Sequence, residues 1–286
     1  MAIVLDNITY TYGMGTPFEK TALRGVSLTI ENGEFLGVIG HTGSGKSTFV
    51  QHLNGLLHPT TGTVTVNGVD ISASTEEAKK MRHKVGMVFQ YPEHQLFEET
   101  IAQDIAFGPK NLGLSADDVD ERVRDAMKFV GLDYDTYAER SPFHLSGGQM
   151  RRVAIASVVA MDPDFLVLDE PSAGLDPFGR EEIFEEIIRL HKEKGITVIL
   201  VSHNMEDISR MASRLVVLDK GRIVLDGEPM DIFNNHRDEL QAVGVDVPPV
   251  SVTMEYLREQ GLDVSNRVLS VDDAVQAILE GGNHVK

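Results

Sequence analysis

The 286-residue sequence has no cysteine and no tryptophan, and no apolar run in it approaches the ~18 residues that a membrane-spanning helix needs. Without cysteine, disulfides, thiolate nucleophiles and cysteine-ligated metal sites are excluded. The opening residues, MAIVLDNITY, also lack the basic segment and apolar core of a secretion signal. We therefore expect a protein that works in the cytosol, or that reaches a membrane only through its partners.

Basic residues are also in short supply. The chain has 26 Lys and Arg against 44 Asp and Glu, which gives a formal net charge of −18. Such a surface repels nucleic acid and anionic lipid headgroups unless cations cluster locally. The densest basic segment, KKMRHK at 79–84, is short, and we interpret it as a solvated helix face. The length suits one large domain with a small appendage.

The strongest local signal is a glycine-rich segment at 40–48, between an apolar run typical of a buried strand and a helix-period pattern. It fits G-x-x-x-x-G-K-[ST], in which backbone N–H groups cradle phosphates, the lysine neutralises them and the hydroxyl is placed to bind Mg²⁺. We therefore predict a nucleoside triphosphate site made by Gly40, His41, Thr42, Gly43, Ser44, Gly45, Lys46, Ser47 and Thr48. The apolar face of the following helix is predicted to carry Phe49, Val50, Leu53, Leu56 and Leu57.

Two further apolar runs end in polar residues. The run at 165–168 leads into Asp169 and Glu170, and the run at 196–201 leads into Ser202 and His203. Carboxyl ends of parallel strands meet at one edge of a sheet, so these side chains are expected near the glycine-rich segment. Asp169 is placed to hold Mg²⁺, and Glu170, pointing the other way along an extended backbone, is a candidate general base. His203 is a candidate to contact the γ-phosphate or to orient water.

A second anion site is predicted at LSGGQ, residues 145–149. Ser146 and the backbone N–H groups of Gly147 and Gly148 stand at the start of a predicted helix, where the helix dipole favours an anion. The same residues are also compatible with an ordinary helix N-cap. If both sites hold the same γ-phosphate, the second is expected to come from another subunit.

The alternation of buried strands and helices predicts an α/β fold with a mainly parallel sheet. Short strands are expected in 2–34, and the hairpin at 61–71 turns at Asn67–Gly68, so an antiparallel part is expected as well. Residues 95–160 are predicted to form an inserted helical subdomain. The main domain is expected to span 1–243, and 244–286 to form a small C-terminal extension after an extended linker at Pro248–Pro249.

Seven features in fixed order resemble the ATP-binding cassette (ABC) ATPases over about residues 1–235: Tyr12, GHTGSGKST (40–48), Gln90, LSGGQ (145–149), FLVLDE (165–170), SAGLD (172–176) and His203. The resemblance implies a P-loop NTPase fold and the hydrolysis of ATP with Mg²⁺. Ser172 departs mildly from the family, in which threonine is usual at this position.

The same resemblance implies roles for several residues. Tyr12 would stack on adenine, Gln90 would touch the metal and sense a transmembrane partner, and the loop at Asp176 would bridge two subunits. It also implies a head-to-tail dimer, with ATP between the P-loop of one subunit and Ser146 through Gln149 of the other.

Within this family, four segments are similar to the ATPases of energy-coupling factor transporters: 10–23, 93–114, 145–156 and the C-terminal extension. TPFE and QMRR in particular resemble the second member of the ATPase pair. The similarity implies a heterodimer with another ABC ATPase (a homodimer being possible in isolation), a transmembrane coupling protein and substrate-binding membrane proteins for vitamins or similar micronutrients. Residues 90–109 would line the groove for the coupling helices, and the protein would lie peripherally on the cytoplasmic face of the membrane. Two alternatives stay open: the ATPase of another ABC transporter, and a soluble ABC ATPase acting on nucleic acid.

Overall fold

Two sheets organise the computed structural model, which describes residues 1–282. A six-stranded sheet has the order β10-β9-β3-β8-β7-β6 and is parallel except for β10, while a four-stranded antiparallel sheet has the order β2-β1-β4-β5. The strands are β1 (Ala2–Tyr12), β2 (Lys20–Glu31), β3 (Phe35–Ile39), β4 (Thr61–Val66), β5 (Val69–Asp70), β6 (Val85–Val88), β7 (Phe165–Asp169), β8 (Thr197–Val201), β9 (Arg214–Asp219) and β10 (Arg222–Gly227). The predicted α/β fold class is confirmed.

Helices cover the parallel sheet and form the predicted insertion. They are α1 (Lys46–Leu53), α2 (Glu76–His83), α3 (Ile101–Asn111), α4 (Ala116–Phe129), α5 (Tyr134–Tyr137), α6 (Gly147–Val159), α7 (Pro177–Lys194), α8 (Met205–Met211), α9 (Pro229–Asn235), α10 (Arg237–Ala242), α11 (Pro249–Glu259) and α12 (Val271–Gly282). Helices α3 to α6 lie between β6 and β7, as expected for the helical subdomain. Among residues 1–282, no helix is both long enough and apolar enough to cross a bilayer.

The six-stranded sheet separates two hydrophobic cores. Successive side chains of a strand point to opposite faces, so Phe165 packs with the antiparallel sheet and α1, whereas Leu166 packs with the helical subdomain and α7. Every residue of β7 is buried as a result. This two-sided burial explains the continuous apolar runs in the sequence, and it fixes the strand ends that carry the functional side chains.

Helix α1 is shorter than its apolar pattern predicts. It ends at Leu53, since Asn54 and Gly55 form a turn in which Gly55 has φ +74° and the Asn54 side chain accepts from the Leu56 backbone N–H. Leu56 is consequently 54% exposed rather than part of the helix face. The prediction that Leu56 and Leu57 continue this helix is therefore wrong: the Asn–Gly pair breaks the periodicity.

The basic segment at 79–84 belongs mainly to α2, as a helix face. Its Arg82 donates to the carbonyls of Ile71 and Ala73, and Lys84 pairs with Asp164 at 3.2 Å. Two of its cations are thus used within the fold, which leaves little free charge for nucleic acid.

The C-terminal extension contains a small core of its own, made by Met254, Val264, Val268 and Ala274. The interpretation of Pro248–Pro249 as an extended linker is wrong at its second residue. Pro249 is the first residue of α11, a position where proline is favoured because its missing N–H would be unpaired anyway. The boundary at 243/244 stays a prediction.

Candidate functional site

A cavity of about 1210 Å³ opens at the carboxyl ends of β3, β6, β7 and β8. This is the edge where polar groups following parallel strands meet. Eleven of the predicted site residues line it: Tyr12, Thr42, Gly43, Gly45, Lys46, Ser47, Thr48, Gln90, Asp169, Glu170 and His203. The structure therefore brings together residues that are up to 191 positions apart in the sequence (Tyr12 to His203).

Two glycines of the loop between β3 and α1 are required by the backbone. Gly40 has φ +151°, and a Cβ on it would lie 2.3 Å from the Leu218 carbonyl oxygen. Gly45 has φ +110°, and its Cβ would lie 2.8 Å from the Ala22 carbonyl oxygen. Any side chain at either position would push the loop away from its neighbouring strands, so the loop geometry depends on both glycines.

Lys46 begins α1 and is nearly buried, with only 7% of its surface exposed. Its ammonium group donates to the carbonyls of Gly40 (2.6 Å) and His41 (3.1 Å), within the loop itself. Burial lowers the pKa of Lys46, and the nearby charges of Glu170 and Asp169 oppose that shift. The side chain thus places a full positive charge inside the loop, at the dipole-positive end of α1.

Ser47, Asp169 and Gln90, whose side chains carry oxygen atoms, line the same cavity. Burial raises the pKa of Asp169, while a hydrogen bond from Ser47 and the charge of Lys46 lower it. No cluster of three or more His, Cys, Asp or Glu side chains in residues 1–282 could hold a metal without help. One carboxylate and one hydroxyl, completed by phosphate oxygens and water, match the coordination that Mg²⁺ prefers. The donor set therefore fits a magnesium ion that arrives with a triphosphate.

Glu170 follows β7 in an unusual backbone conformation, with φ +52°. The prediction that the carboxylates of Asp169 and Glu170 point apart along an extended backbone is therefore wrong. The strand ends at Asp169, and both carboxylates line one cavity. Burial, and after it the charge of Asp169, raise the pKa of Glu170 to about 7. Its Oε1 is buried without a hydrogen-bond partner among residues 1–282, and His203 Nε2 lies 3.4 Å from it. This carboxylate is equipped to exchange a proton near neutral pH.

Three members of the glycine-rich segment, Gly40, His41 and Ser44, shape the loop instead of lining the cavity. His41 Nε2 lies 2.9 Å from Asp219 Oδ1, and the Ser44 carbonyl accepts from Gly221 N–H at 2.8 Å. Both contacts tie the loop to the turn between β9 and β10. In this chain these residues hold the loop, and their contact with a nucleotide stays a prediction.

The LSGGQ residues are not part of this cavity. Ser146 is the N-cap of α6 and forms a capping box with Gln149, as the simpler reading of the sequence allowed. Ser146, Gly148 and Gln149 line a separate cavity of about 520 Å³. A Cβ added at Gly147 or Gly148 would meet no atom within 4 Å, so nothing in the chain itself requires glycine there. Open glycines at a helix start suit the close approach of an outside group.

Asp176 is likewise outside the main cavity. Its carboxylate caps α7 by accepting from Gly179 N–H at 2.7 Å, and the residue is exposed. That the Asp176 loop bridges two subunits at the nucleotide stays a prediction.

Sequence reasoning missed a group of cations on the wall of the main cavity: Lys20 and Arg24 of β2, and Lys220 and Arg222 at the β9–β10 hairpin. They meet because Arg24 N–H donates to the Gly221 carbonyl at 2.8 Å, which joins the two sheets. The alternation of Lys20, Ala22 and Arg24 on one face of β2 was the available signal, but it did not reveal which element faces that strand.

A family model described as ABC transporter matches residues 23–173. The chain is 53% identical over 280 residues to the energy-coupling factor transporter ATP-binding protein EcfA2 of Clostridium tetani, covering 98% of this chain and 97% of that protein. It is 49% identical over 293 residues to the protein of the same name from Bacillus cereus, covering 99% and 98%.

Two solved structures are also similar. One is cbiO1 from Clostridium perfringens, described as part of the ABC transporter complex cbiONQ, with 35% identity, a TM-score of 0.72 and coverage of 84% of this chain and 94% of that one. The other is the ATP-binding cassette MJ0796, a dimer in a post-hydrolysis state with ADP and Pi, with 30% identity, a TM-score of 0.70 and coverage of 79% and 98%.

Proposed function

Because this chain belongs to the ABC transporter family, we propose that it is the ATP-binding and ATP-hydrolysing subunit of an energy-coupling factor importer, driving uptake of vitamins or similar micronutrients through transmembrane partners. The observation that carries the proposal is the single cavity that gathers Lys46, Ser47, Asp169 and Glu170 at one sheet edge. The near-full-length similarity to transporter ATPases supports a role for that hydrolysis in transport.

Different residues of the cavity have different roles in hydrolysis. The loop N–H groups and Lys46 hold the outer phosphates, and Tyr12 offers a partly exposed ring to adenine. Ser47, Asp169 and Gln90 would hold Mg²⁺, which supplies charge neutralisation between the β- and γ-phosphates. Glu170 accepts a proton from the attacking water, and His203 orients that water or the γ-phosphate.

The second half of each ATP site comes from another ABC ATPase. Ser146 and Gly148 line a cavity apart from the P-loop, and no contact among residues 1–282 explains the open glycines Gly147 and Gly148. Asp176, the N-cap of α7, is exposed. In a head-to-tail dimer, this surface would close over the ATP of the partner subunit, this chain being the second member of the heterodimeric pair.

A membrane partner would dock on the segment that follows Gln90. Phe97 and Phe107 are 58% and 45% exposed, and their rings pack edge to face at 4.9 Å. An exposed aromatic pair on the segment that follows Gln90 is suited to receive a short helix of a transmembrane coupling protein. Gln90 would connect that contact with the metal. The protein would then be peripheral, on the cytoplasmic face of the membrane.

Hydrolysis should depend on pH through Glu170. Below its raised pKa of about 7, the carboxyl is protonated and cannot accept a proton from water, so kcat/KM, which reports the free protein, should fall about tenfold per pH unit below that value. Above it, kcat/KM should reach a plateau. Steady-state phosphate release at MgATP concentrations below KM, between pH 5.5 and 8.5, measures this profile. A kcat/KM that stays constant from pH 6 to 8 would contradict Glu170 as the base.

Membrane purification tests the transport assignment. From detergent-solubilised membranes of the native organism, the tagged full-length chain should recover a second P-loop ATPase and integral membrane proteins, identified by mass spectrometry. Phe97→Asp should lose the integral proteins and keep the second ATPase, because a charge cannot enter an apolar docking site without cost.

The matched control is Val252→Asp, which places the same charge on another exposed apolar residue, in α11. It should keep the integral proteins. Recovery of a lone homodimer, or of RNA-binding proteins with no integral protein, would remove the importer assignment while leaving the ATPase chemistry intact.

A further inference from the structure

The hydroxyl of Tyr12 makes a contact that stacking on adenine does not need. Tyr12 ends β1 in the antiparallel sheet, and Thr48 lies in the first turn of α1. Their side-chain oxygens are 3.1 Å apart, a hydrogen bond across 36 residues of sequence. Tyr12 is 40% exposed whereas Thr48 is 8% exposed, and both line the main cavity. The hydroxyl thus points inward, to the P-loop helix, while one part of the ring stays open.

The Tyr12 ring packs against the half-buried Tyr10, which in turn packs against the buried His52. Tyr10 packs edge to face on Tyr12 at 4.8 Å, and His52 packs on Tyr10 at 4.9 Å. His52 is fully buried, and its Nδ1 lies 2.7 Å from the Thr48 carbonyl oxygen. Since a carbonyl only accepts, His52 Nδ1 must carry the hydrogen. These contacts link Tyr12, Thr48, His52 and Tyr10 into one connected group.

The number of hydrogens on each hydroxyl limits which of Tyr12 and Thr48 can be the donor. Each hydroxyl has one hydrogen, so only one of Tyr12 and Thr48 can donate in their shared bond. If Thr48 donated to Tyr12, its hydrogen would be turned away from the cavity. If Tyr12 donates, the Thr48 hydrogen is free for an acceptor in the cavity. A bound triphosphate presents only acceptors, and charge-assisted bonds to such oxygens are the stronger ones, so the second arrangement is favoured when nucleotide binds.

We propose that the Tyr12 hydroxyl is a positioning group, which donates to Thr48 Oγ1 and thereby aims the Thr48 hydroxyl at the triphosphate. This inference rests on the proposed ATPase function. It gives Tyr12 two separable contributions: the ring serves the base, and the hydroxyl serves the phosphates through Thr48. Tyr10 and His52 keep the ring where the hydroxyl can reach.

The deciding variant is Tyr12→Phe, which keeps the ring and removes only the hydroxyl. Titrations of the full-length protein, with Mg²⁺ present, should use two probes: ATP, and inorganic tripolyphosphate, which has no base to stack. The variant should bind both probes about 2- to 10-fold more weakly, the usual effect of one neutral hydrogen bond. With ATP, KM should rise by the same factor while kcat stays constant, because Thr48 is not the base.

Three further variants distinguish a positioning role of the Tyr12 hydroxyl from a purely structural role. Thr48→Val should weaken both probes, and adding Tyr12→Phe to it should cause no further loss, as expected for two groups acting in one bond. Thr48→Ser keeps the hydroxyl and should restore the sensitivity to Tyr12→Phe. Tyr134→Phe is the matched control, since its hydroxyl donates to Asp120 at 3.2 Å outside the cavity; it should bind both probes normally.

Two results would overturn the inference. Wild-type affinity of Tyr12→Phe for both probes would mean that the hydroxyl does nothing. Loss of ATP affinity with tripolyphosphate affinity unchanged would place the hydroxyl at the base instead of at the phosphates. Failure of the wild-type protein to bind ATP at all would be a different failure, that of the proposed function itself.

Discussion

Glu170→Gln is expected to slow ATP hydrolysis by about 10²- to 10⁴-fold while ATP still binds. Glutamine has nearly the same shape as the protonated carboxyl, but it cannot accept a proton from water. The substitution therefore removes the base and preserves the cavity, which also contains Lys46 and Ser47. Phosphate release gives the rate, a nucleotide titration gives the affinity, and size-exclusion chromatography with ATP should reveal an accumulated dimer.

The chain offers a matched control for this prediction in Glu186. Burial raises its pKa to about 7 as well, but it lies in α7 beside Arg152, and it does not line the cavity. Glu186→Gln should hydrolyse ATP at close to the wild-type rate. If Glu170→Gln turned over at the wild-type rate, Glu170 would have no catalytic role; if both variants slowed equally, the effect would be structural.

Much of the fold could be predicted because local patterns determine it. The continuous apolar residues of β7 and β8 require two covered faces, and that burial predicts a parallel sheet inside the fold. The turn at Asn67–Gly68 likewise specifies the β4–β5 hairpin by its left-handed backbone. In each case the residues that form the sequence pattern are the same residues that form the strand or the turn.

Element ends were harder to predict because they depend on single turns. The apolar spacing of α1 continues to Leu57, but the side-chain and backbone geometry of Asn54 and Gly55 ends the helix earlier. At Pro249, a residue that usually marks an extended segment starts α11, since proline fits the first helical position. Both segments contain a pattern that is compatible with two structures, and the conformation of one or two residues decides between them.

The candidate site, like the fold, could be predicted only in part from the sequence. That Lys46, Asp169 and His203 meet could be predicted, because each follows a strand of one parallel sheet. The orientation of Glu170 could not, because its positive φ breaks the alternation of the strand. The cations Lys20 and Arg222 could not be placed either, since nothing local says that β2 and β10 meet at the cavity wall.

Charge gives those cations a physical role in a protein of net charge −18. A nucleoside triphosphate is itself an anion, and the protein as a whole repels it. Cations on the cavity wall provide a local region of the opposite sign beside the loop. The acidic residues Asp169 and Glu170 line the same cavity, where a metal ion would offset their charge. The cavity thus offers cations to the phosphates and carboxylates to the metal that accompanies them.

Lys46→Ala is expected to weaken ATP binding by roughly 10- to 100-fold, the range for loss of hydrogen bonds to a charged group. Lys46 is nearly buried inside the loop, so water cannot replace its charge efficiently when phosphate occupies the loop. Its bonds to the carbonyls of Gly40 and His41 hold the ammonium where the outer phosphates would lie. Equilibrium titration with ATP and Mg²⁺ measures the affinity directly.

The matched control for Lys46 is Lys84→Ala, which removes the same charge from an exposed lysine paired with Asp164 outside the cavity. It should bind ATP normally. Lys46→Ala and Glu170→Gln should also differ in kind: the first loses binding, and the second loses turnover with ATP retained. Unchanged affinity in Lys46→Ala would mean that the backbone N–H groups hold the phosphates without the buried charge of Lys46.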